Sequence, residues 1–272
     1  MLASDDAGTT CVRTGLHVVP ASAIRTAYRV ALDRGERSPL QGYRNELVGP
    51  LPPGAVERRG RFDRDGHTVY FADTPETAFA EVLTAFRREL AKLAPLALSI
   101  GTTPDQWAER IIAEAEDNDL DRPWAISGDW QWQRSIYEVQ LPADGWWVQI
   151  DHPDTLAVLN RALAGHLPAF GIDIDGVLTS GHLEGEDRAV TTVVSTYIAR
   201  LALHGGDEPL GILYRSKSLV GRCCAFFDRR ADDGLAPGRN DPRLLGSTNV
   251  DTPAFRAVAE KFGLPVLPGR RR

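Results

Sequence analysis

"GRFDRDGHTVYFADTPETAFAEV", Gly60 to Val82, holds a glycine-arginine loop, a short apolar run and the start of a segment that carries a lone acid, Glu81. "HTVYFA" reads as a strand from its β-branched and aromatic content. Asp73 or Thr74 then caps a helix with Pro75 in its first turn, predicted to run to about Leu90. Phe79, Leu83, Phe86 and Leu90 recur at helical spacing and form the stripe that must be buried. At about 100° per residue, Glu81 falls on the opposite face beside Ala78 and Ala85. Taken alone it is a surface glutamate. The small alanines leave room for something to lie against that face.

Working outward, "AIRTAYRVAL" (Ala23 to Leu32) suits a helix or a strand, and its dense "YRVAL" end favours a strand closed by the polar turn "DRGERSP". "LVGPLPPGAVERRG" is a proline- and glycine-rich loop leading to Arg61. "APLALSI" reads as a strand and "TPDQWAERIIAEAEDN" as a capped helix with an acidic face. "RSIYEVQL", "WWVQI", "LGILYRS" and "RCCAFF" read as strands. "HPDTLAVLNRALAGH" and "EDRAVTTVVSTYIARLAL" are amphipathic helices, the second with Val190, Val194, Tyr197, Ile198 and Leu201 inside. After "RCCAFF" the chain is expected to be loop with one short helix near Pro253 to Phe262. The six tryptophans lie between Trp107 and Trp147. Such a cluster could stack a sugar or a base, but aromatics this dense more often pack an insertion onto its domain. No internal repeat or low-complexity linker interrupts the chain, so residues 1–272 are expected to form one unit with an enlarged helical, Trp-rich region around 90–180.

At 272 residues and 43% hydrophobic, the chain can bury a full core. A net charge of -6 argues against a generic polyanion binder, although a local basic patch could still hold a phosphate group. Direct nucleic-acid binding is not expected. The N-terminus is acidic where a secretory signal is basic, and no segment is long and apolar enough to span a bilayer, so a cytoplasmic setting without membrane contact is expected. Cys11, Cys223 and Cys224 are odd in number, which argues against a disulfide framework. The six histidines form no paired ligand motif, and no catalytic metal is expected.

Three chemistries can be weighed on motifs alone. "IDIDGVLTSG", Ile172 to Gly181, resembles the first motif of haloacid dehalogenase-type phosphatases, in which Asp173 would be the nucleophile and Asp175 a general acid beside magnesium. Only "AFG" precedes it where an apolar strand belongs, and the competing reading is a plain acidic turn. "PPG" and "HGG" match neither a P-loop nor a dinucleotide fingerprint. No Gly-x-Ser-x-Gly elbow is present to support a serine triad.

What remains is a set of dispersed polar residues: Arg29 in "AYRVAL", Arg61 in "GRF", Tyr70 in "VYFA", Glu81, and Ser216 in "GILYRS". Singly, each suits a structural role. Together, they resemble the RES-domain family, named for arginine, glutamate and serine. The likeness lies in the order of an arginine strand, a Gly-Arg-aromatic loop, a "VYFA" strand and a helix with its glutamate eleven residues past the tyrosine. It closes with a "GI-x-Tyr-x-Ser" strand and an "AFF" strand. It covers roughly Ala27 to Asp228, and "DRAVTTVVSTYIARL" is similar to the family's penultimate helix.

The resemblance implies an α+β fold like that of ADP-ribosyltransferases, a split, mostly antiparallel mixed sheet with helices around an NAD cleft. Many family members are toxins of toxin-antitoxin pairs that destroy NAD by phosphorolysis or hydrolysis of the nicotinamide-ribose bond, while some relatives transfer ADP-ribose to a protein. The implied partner is an Xre-type antitoxin that blocks the cleft; a homo-oligomer stays open. The implied roles are Glu81 as the carboxylate that stabilises an oxocarbenium-like ribose, and Arg29 and Arg61 as phosphate ligands. Tyr70 would frame the nicotinamide end, Ser216 would bond the ribose or diphosphate, and Tyr28 would be a further pocket residue. NAD is then the substrate, with inorganic phosphate as a candidate co-substrate and no metal required. Ser218 could share the serine role, since on a strand it faces the same way as Ser216. The region from Leu90 to Ser180 could narrow the pocket, bind the antitoxin or favour a macromolecular acceptor.

Overall fold

The computed structural model describes residues 8–33, 38–47, 56, 59–185, 187–218 and 221–268. Most of the "LVGPLPPGAVERRG" loop and of the "DRGERSP" turn lies outside the described residues.

The strands are β1 (Thr9–Thr10), β2 (His17–Pro20), β3 (Thr26–Leu32), β4 (Tyr43–Asn45), β5 (Gly66–Ala72), β6 (Arg134–Gln140), β7 (Trp146–Gln149), β8 (Gly211–Arg215), β9 (Arg222–Phe227) and β10 (Arg243–Asn249). They form one mixed sheet in the order β1-β2-β7-β8-β9-β5-β3-β6-β10, with β4 attached to β5. The β7–β8 pair is parallel and the other ladders are antiparallel. The longer helices are α1 (Pro75–Ala91), α2 (Leu93–Ser99), α3 (Pro104–Asp117), α5 (Pro153–Leu163), α7 (Arg188–Ala199) and α9 (Pro253–Lys261). The short helices are α4 (Gly128–Trp132), α6 (Ser180–Glu184) and α8 (Arg229–Asp232). The fold is α+β, as the family likeness implies.

The sheet splits beside β5. β4 pairs with residues 66–68 of β5, and β3 touches the same edge through a single register pair, Tyr28 with Ala72. Between these contacts no strand among the described residues pairs with that edge of β5. There Arg29 Nη1 donates to the Tyr70 carbonyl at 3.0 Å, so a side chain supplies the donor that a ladder would have given.

α1 starts at Thr74, whose hydroxyl accepts from Thr77 N at 3.1 Å, with Pro75 at the position where a missing N–H costs nothing. Phe79 and Leu83 are fully buried, and Phe86 and Leu90 pack against the same cluster. Phe255 of α9 meets Phe79 with ring centroids 5.5 Å apart, and Trp130 stacks on Phe255 at 6.0 Å. The stripe read from the sequence is thus the surface that seats α1 on α9 and β3.

Several expectations are corrected. "APLALSI" belongs to α2: the chain resumes helix directly after Lys92, and Leu93 and Ala97, four apart, are the residues it buries. The C-terminal region holds a strand as well as a helix. β10 extends the sheet on β6, and all seven of its residues are exposed, so it carries no apolar alternation to read. α8 was likewise not expected. β8 ends at Arg215, which leaves Ser216 and Ser218 on the bend beyond it rather than on one strand face. Asp173 and Asp175 occupy a turn in which Asp175 N donates to Asp173 Oδ1 at 3.0 Å, with no strand leading into it. That is the plain acidic turn, not the strand end a phosphatase nucleophile needs.

Candidate active site

A cleft of about 610 Å³ opens at the split in the sheet, within the size range of small-molecule sites. Tyr28, Arg29, Arg61, Tyr70 and Glu81 all line it. Its floor includes Tyr214 and Cys223 from the β8–β9 ladder, and one wall is the outer face of α1.

That wall is a helical stripe. Ala78, Glu81, Thr84, Ala85, Arg88 and Ala91 face the cleft at three- and four-residue spacing. The two alanines beside Glu81 supply the clearance the sequence suggested. Glu81 Oε1 accepts the Ser216 hydroxyl at 2.6 Å, and Ser216 Oγ in turn accepts from Ser218 N at 3.2 Å. Thr84 Oγ1 lies 2.5 Å from Ser218 Oγ and gives its own proton to Ala80 O at 2.7 Å, so Ser218 is the donor between them. Among the described residues no other donor reaches Glu81, which leaves Oε2 for a ligand. Ser216 therefore acts on the cleft through Glu81, whereas Ser218 lines it directly.

The hairpin that carries these serines is clasped to α1 from below. Asp73 N donates to Arg222 O and Arg222 N to Asp73 Oδ2, both at 2.9 Å. Gly221 sits so close to the helix that a Cβ there would lie 2.1 Å from Thr77 Oγ1. Close backbone approach is what fixes Glu81 relative to Ser216, although 135 positions separate them.

The opposite lip is the Arg61 turn, held by Asp63. Its buried carboxylate accepts the Tyr70 hydroxyl at 2.7 Å, Gly60 N at 2.9 Å and Asn45 Nδ2 at 3.0 Å. Tyr70 Oη also accepts from Phe62 N at 2.8 Å. A Cβ at residue 60 would lie 2.5 Å from the Tyr70 ring, which accounts for glycine before the arginine. Tyr70 thus frames the cleft with its ring while its hydroxyl braces the turn. Burial pushes the Tyr70 phenol well above its ordinary value and the nearby Asp63 charge adds to this, so the proton stays on the oxygen.

Among the described residues Arg61 has no carboxylate partner. Its guanidinium lies 5.0 Å from the Tyr214 ring centroid and 5.7 Å from that of Phe62, held over π faces with its N–H fork open to a ligand. Arg29 has a buried Nε with no hydrogen-bond partner, and burial lowers its pKa, partly offset by Tyr70 and Asp63. Burial, followed by the charge of Glu81, pushes the Cys223 thiol up, so the floor cysteine is a neutral surface rather than a nucleophile. The arrangement offers one carboxylate fixed by a hydroxyl, two guanidiniums with unused donors, and a partly apolar floor.

Sequence reasoning missed Asp63, which lies inside the opening stretch, and also Thr84, Arg88 and Tyr214; it offered Asp73 only as a helix cap, a place Thr74 takes, and not as the acceptor of Arg222 N. Arg88 could have been found seven residues after Glu81 on the same helical face. The tryptophans contribute no stacking platform to the cleft: Trp147 and Trp124 are buried, and Trp130 packs on Phe255. Within 90–180 only Ala91 lines the cleft, so that region does not narrow it. Among the described residues one group, His17, His152 and Asp154, has metal-capable atoms within 4.8 Å of one another. The two imidazoles are stacked at 3.7 Å and 13°, which sets their lone pairs in parallel planes rather than toward one point, and His152 Nδ1 accepts from Asp154 N. No helix among the described residues is long and apolar enough to cross a membrane.

No curated protein matches the sequence. Among solved structures, a chain from the crystal structure of the M. tuberculosis MbcT-MbcA toxin-antitoxin complex is similar at 16% identity over 89% of this chain and 92% of that chain, with a TM-score of 0.43. The RES domain matches residues 26–244, a span that contains every residue lining the cleft. By that match the chain belongs to the RES domain family.

Proposed function

We propose that the chain cleaves the nicotinamide-ribose bond of NAD, and that it is the toxin of a toxin-antitoxin pair acting in the cytoplasm as one RES-like unit. The observation that carries this reading is the Glu81–Ser216 contact at 2.6 Å inside a cleft that also holds Arg29 and Arg61. Loss of nicotinamide leaves positive charge on the ribose ring, and a carboxylate held in place before the reaction stabilises it without paying for reorganisation. Ser216 occupies Oε1, so Oε2 is the oxygen that faces the ribose. Arg29 and Arg61 bind the pyrophosphate and hold the ribose against α1, an orientation effect as much as an electrostatic one. Tyr28 and the Tyr70 ring close the nicotinamide end.

The ADP-ribosyl group then passes to water or to inorganic phosphate, which makes the enzyme a glycohydrolase or a phosphorylase. Transfer to a protein acceptor is the competing outcome. An Xre-type antitoxin covering the cleft is the expected partner. Purified protein incubated with NAD, with and without phosphate, should release nicotinamide, and phosphate-dependent ADP-ribose 1-phosphate separates phosphorolysis from hydrolysis. No release under either condition contradicts the reading.

A further inference from the structure

Tyr70 and Tyr214 both line the cleft, and among the described residues the fold uses only one of the two hydroxyls. Tyr70 donates to Asp63 and accepts from Phe62 N, so its oxygen is engaged in bracing the Arg61 turn. Tyr214 is only 5% exposed, yet among the described residues its hydroxyl makes no hydrogen bond. A buried phenol normally finds a partner, because an unpaired hydroxyl forfeits the bonds it made to water.

Packing does not account for that hydroxyl. β8 alternates between two cores: Ile212 and Tyr214 join the cluster that contains Phe62, and Leu213 joins the one that contains Phe226. The Tyr214 ring meets Phe62 with centroids 4.8 Å apart, and its backbone is in register with Cys223 of β9. A phenylalanine would make the same contacts. The oxygen is surplus to the sheet, on a residue that lines the cleft.

The surroundings identify its partner. The Arg61 guanidinium lies 5.0 Å from the ring centroid, and Glu81 is close enough for its charge to act on the phenol. Burial pushes the phenol well above its ordinary value, Cys223 and Glu81 add to this, and Arg61 only partly offsets it. The oxygen therefore keeps its proton and is a donor. A phenol O–H beside an arginine fork makes its strongest bond to an anionic oxygen. We infer that Tyr214 is a substrate-binding residue whose hydroxyl donates to an oxygen of the same dinucleotide phosphate that Arg61 holds. This rests on the reading of the cleft as a nicotinamide dinucleotide site.

The test compares Tyr214→Phe with the parent in three measurements on the full chain. ADP-ribose, which keeps both phosphates and has no nicotinamide to lose, should bind at least about tenfold more weakly by calorimetry, the loss expected for a hydrogen bond to a charged group. In nicotinamide release from NAD, KM should rise by a similar factor and by more than kcat falls, because the phosphate is the same in the ground and transition states. The urea midpoint should hold, in contrast to that of Tyr70→Phe, because no bond within the protein is lost. Unchanged affinity for ADP-ribose, a loss confined to kcat, or a urea midpoint that falls as far as that of Tyr70→Phe overturns the inference. A parent that binds ADP-ribose through Tyr214 but releases no nicotinamide contradicts the proposed function alone. If the parent binds neither NAD nor ADP-ribose, both fall.

Discussion

Tyr70→Phe removes one oxygen atom and tests whether that hydroxyl is a brace or only part of a ligand surface. In the structure Oη accepts from Phe62 N at 2.8 Å and donates to Asp63 Oδ1 at 2.7 Å, both in a part-buried setting. Phenylalanine fills the same space and leaves both groups unpartnered. A neutral hydrogen bond contributes about 1 kcal/mol net and one to a charged group about 1.5–3 kcal/mol, so the expected loss is about 2–4 kcal/mol. Urea unfolding at neutral pH should show a lower midpoint with an unchanged slope. A double-mutant cycle with Asp63→Asn should show strong coupling, since each substitution breaks the same bond. In nicotinamide-release kinetics the variant should raise KM more than it lowers kcat, because Arg61 loses its fixed approach to a phosphate that does not change during bond cleavage. A variant within about 0.5 kcal/mol of the parent, or a cycle that is simply additive, would refute the brace.

Gly60→Ala should destabilise by about 1–3 kcal/mol, since the new Cβ meets the Tyr70 ring at 2.5 Å and the ring cannot retreat without breaking its own bonds; a thermal melt reads this directly. Phe255→Ala should cost about 3–5 kcal/mol in urea unfolding, because the ring is fully buried between α1, α4 and α9. Acid stability should depend on Asp232. Burial pushes its carboxyl up, but hydrogen bonds from Arg64, His67 N and the His67 ring outweigh that and hold it below the usual carboxylate value. Its contribution is therefore present above the unfolded pKa of about 3.9 and is lost as pH falls through the lower folded value. The urea midpoint of Asp232→Asn should accordingly fall less between pH 7 and pH 3 than that of the parent.

The parts of the fold that could be read from the sequence were those in which one local signal agreed with another. α1 carried a cap, an N-terminal proline and an apolar stripe together, and β5 and β9 were short apolar runs bounded by turns. "APLALSI" had apolar content without period, and only its continuity with α1 through Lys92 makes it helix. β10 had neither apolar alternation nor burial, so nothing local could announce it. The site shows the same division. Glu81, Arg29 and Arg61 could be chosen by residue type and order. The Glu81–Ser216 contact depends on the Asp73 clasp and the tight approach at Gly221, which are properties of packing. Asp63 went unseen for a different reason: an aspartate in a polar turn resembles a solvated one until the fold closes Tyr70 and Gly60 over it.

The central claim is that Glu81 is the carboxylate on which bond cleavage turns. The most direct measurement is nicotinamide release from NAD by the parent protein and by Glu81→Gln, at saturating substrate and with folding verified by circular dichroism. The account predicts measurable release by the parent and a fall in kcat of at least about a hundredfold in the variant. Release by Glu81→Gln at the parent's rate would contradict it.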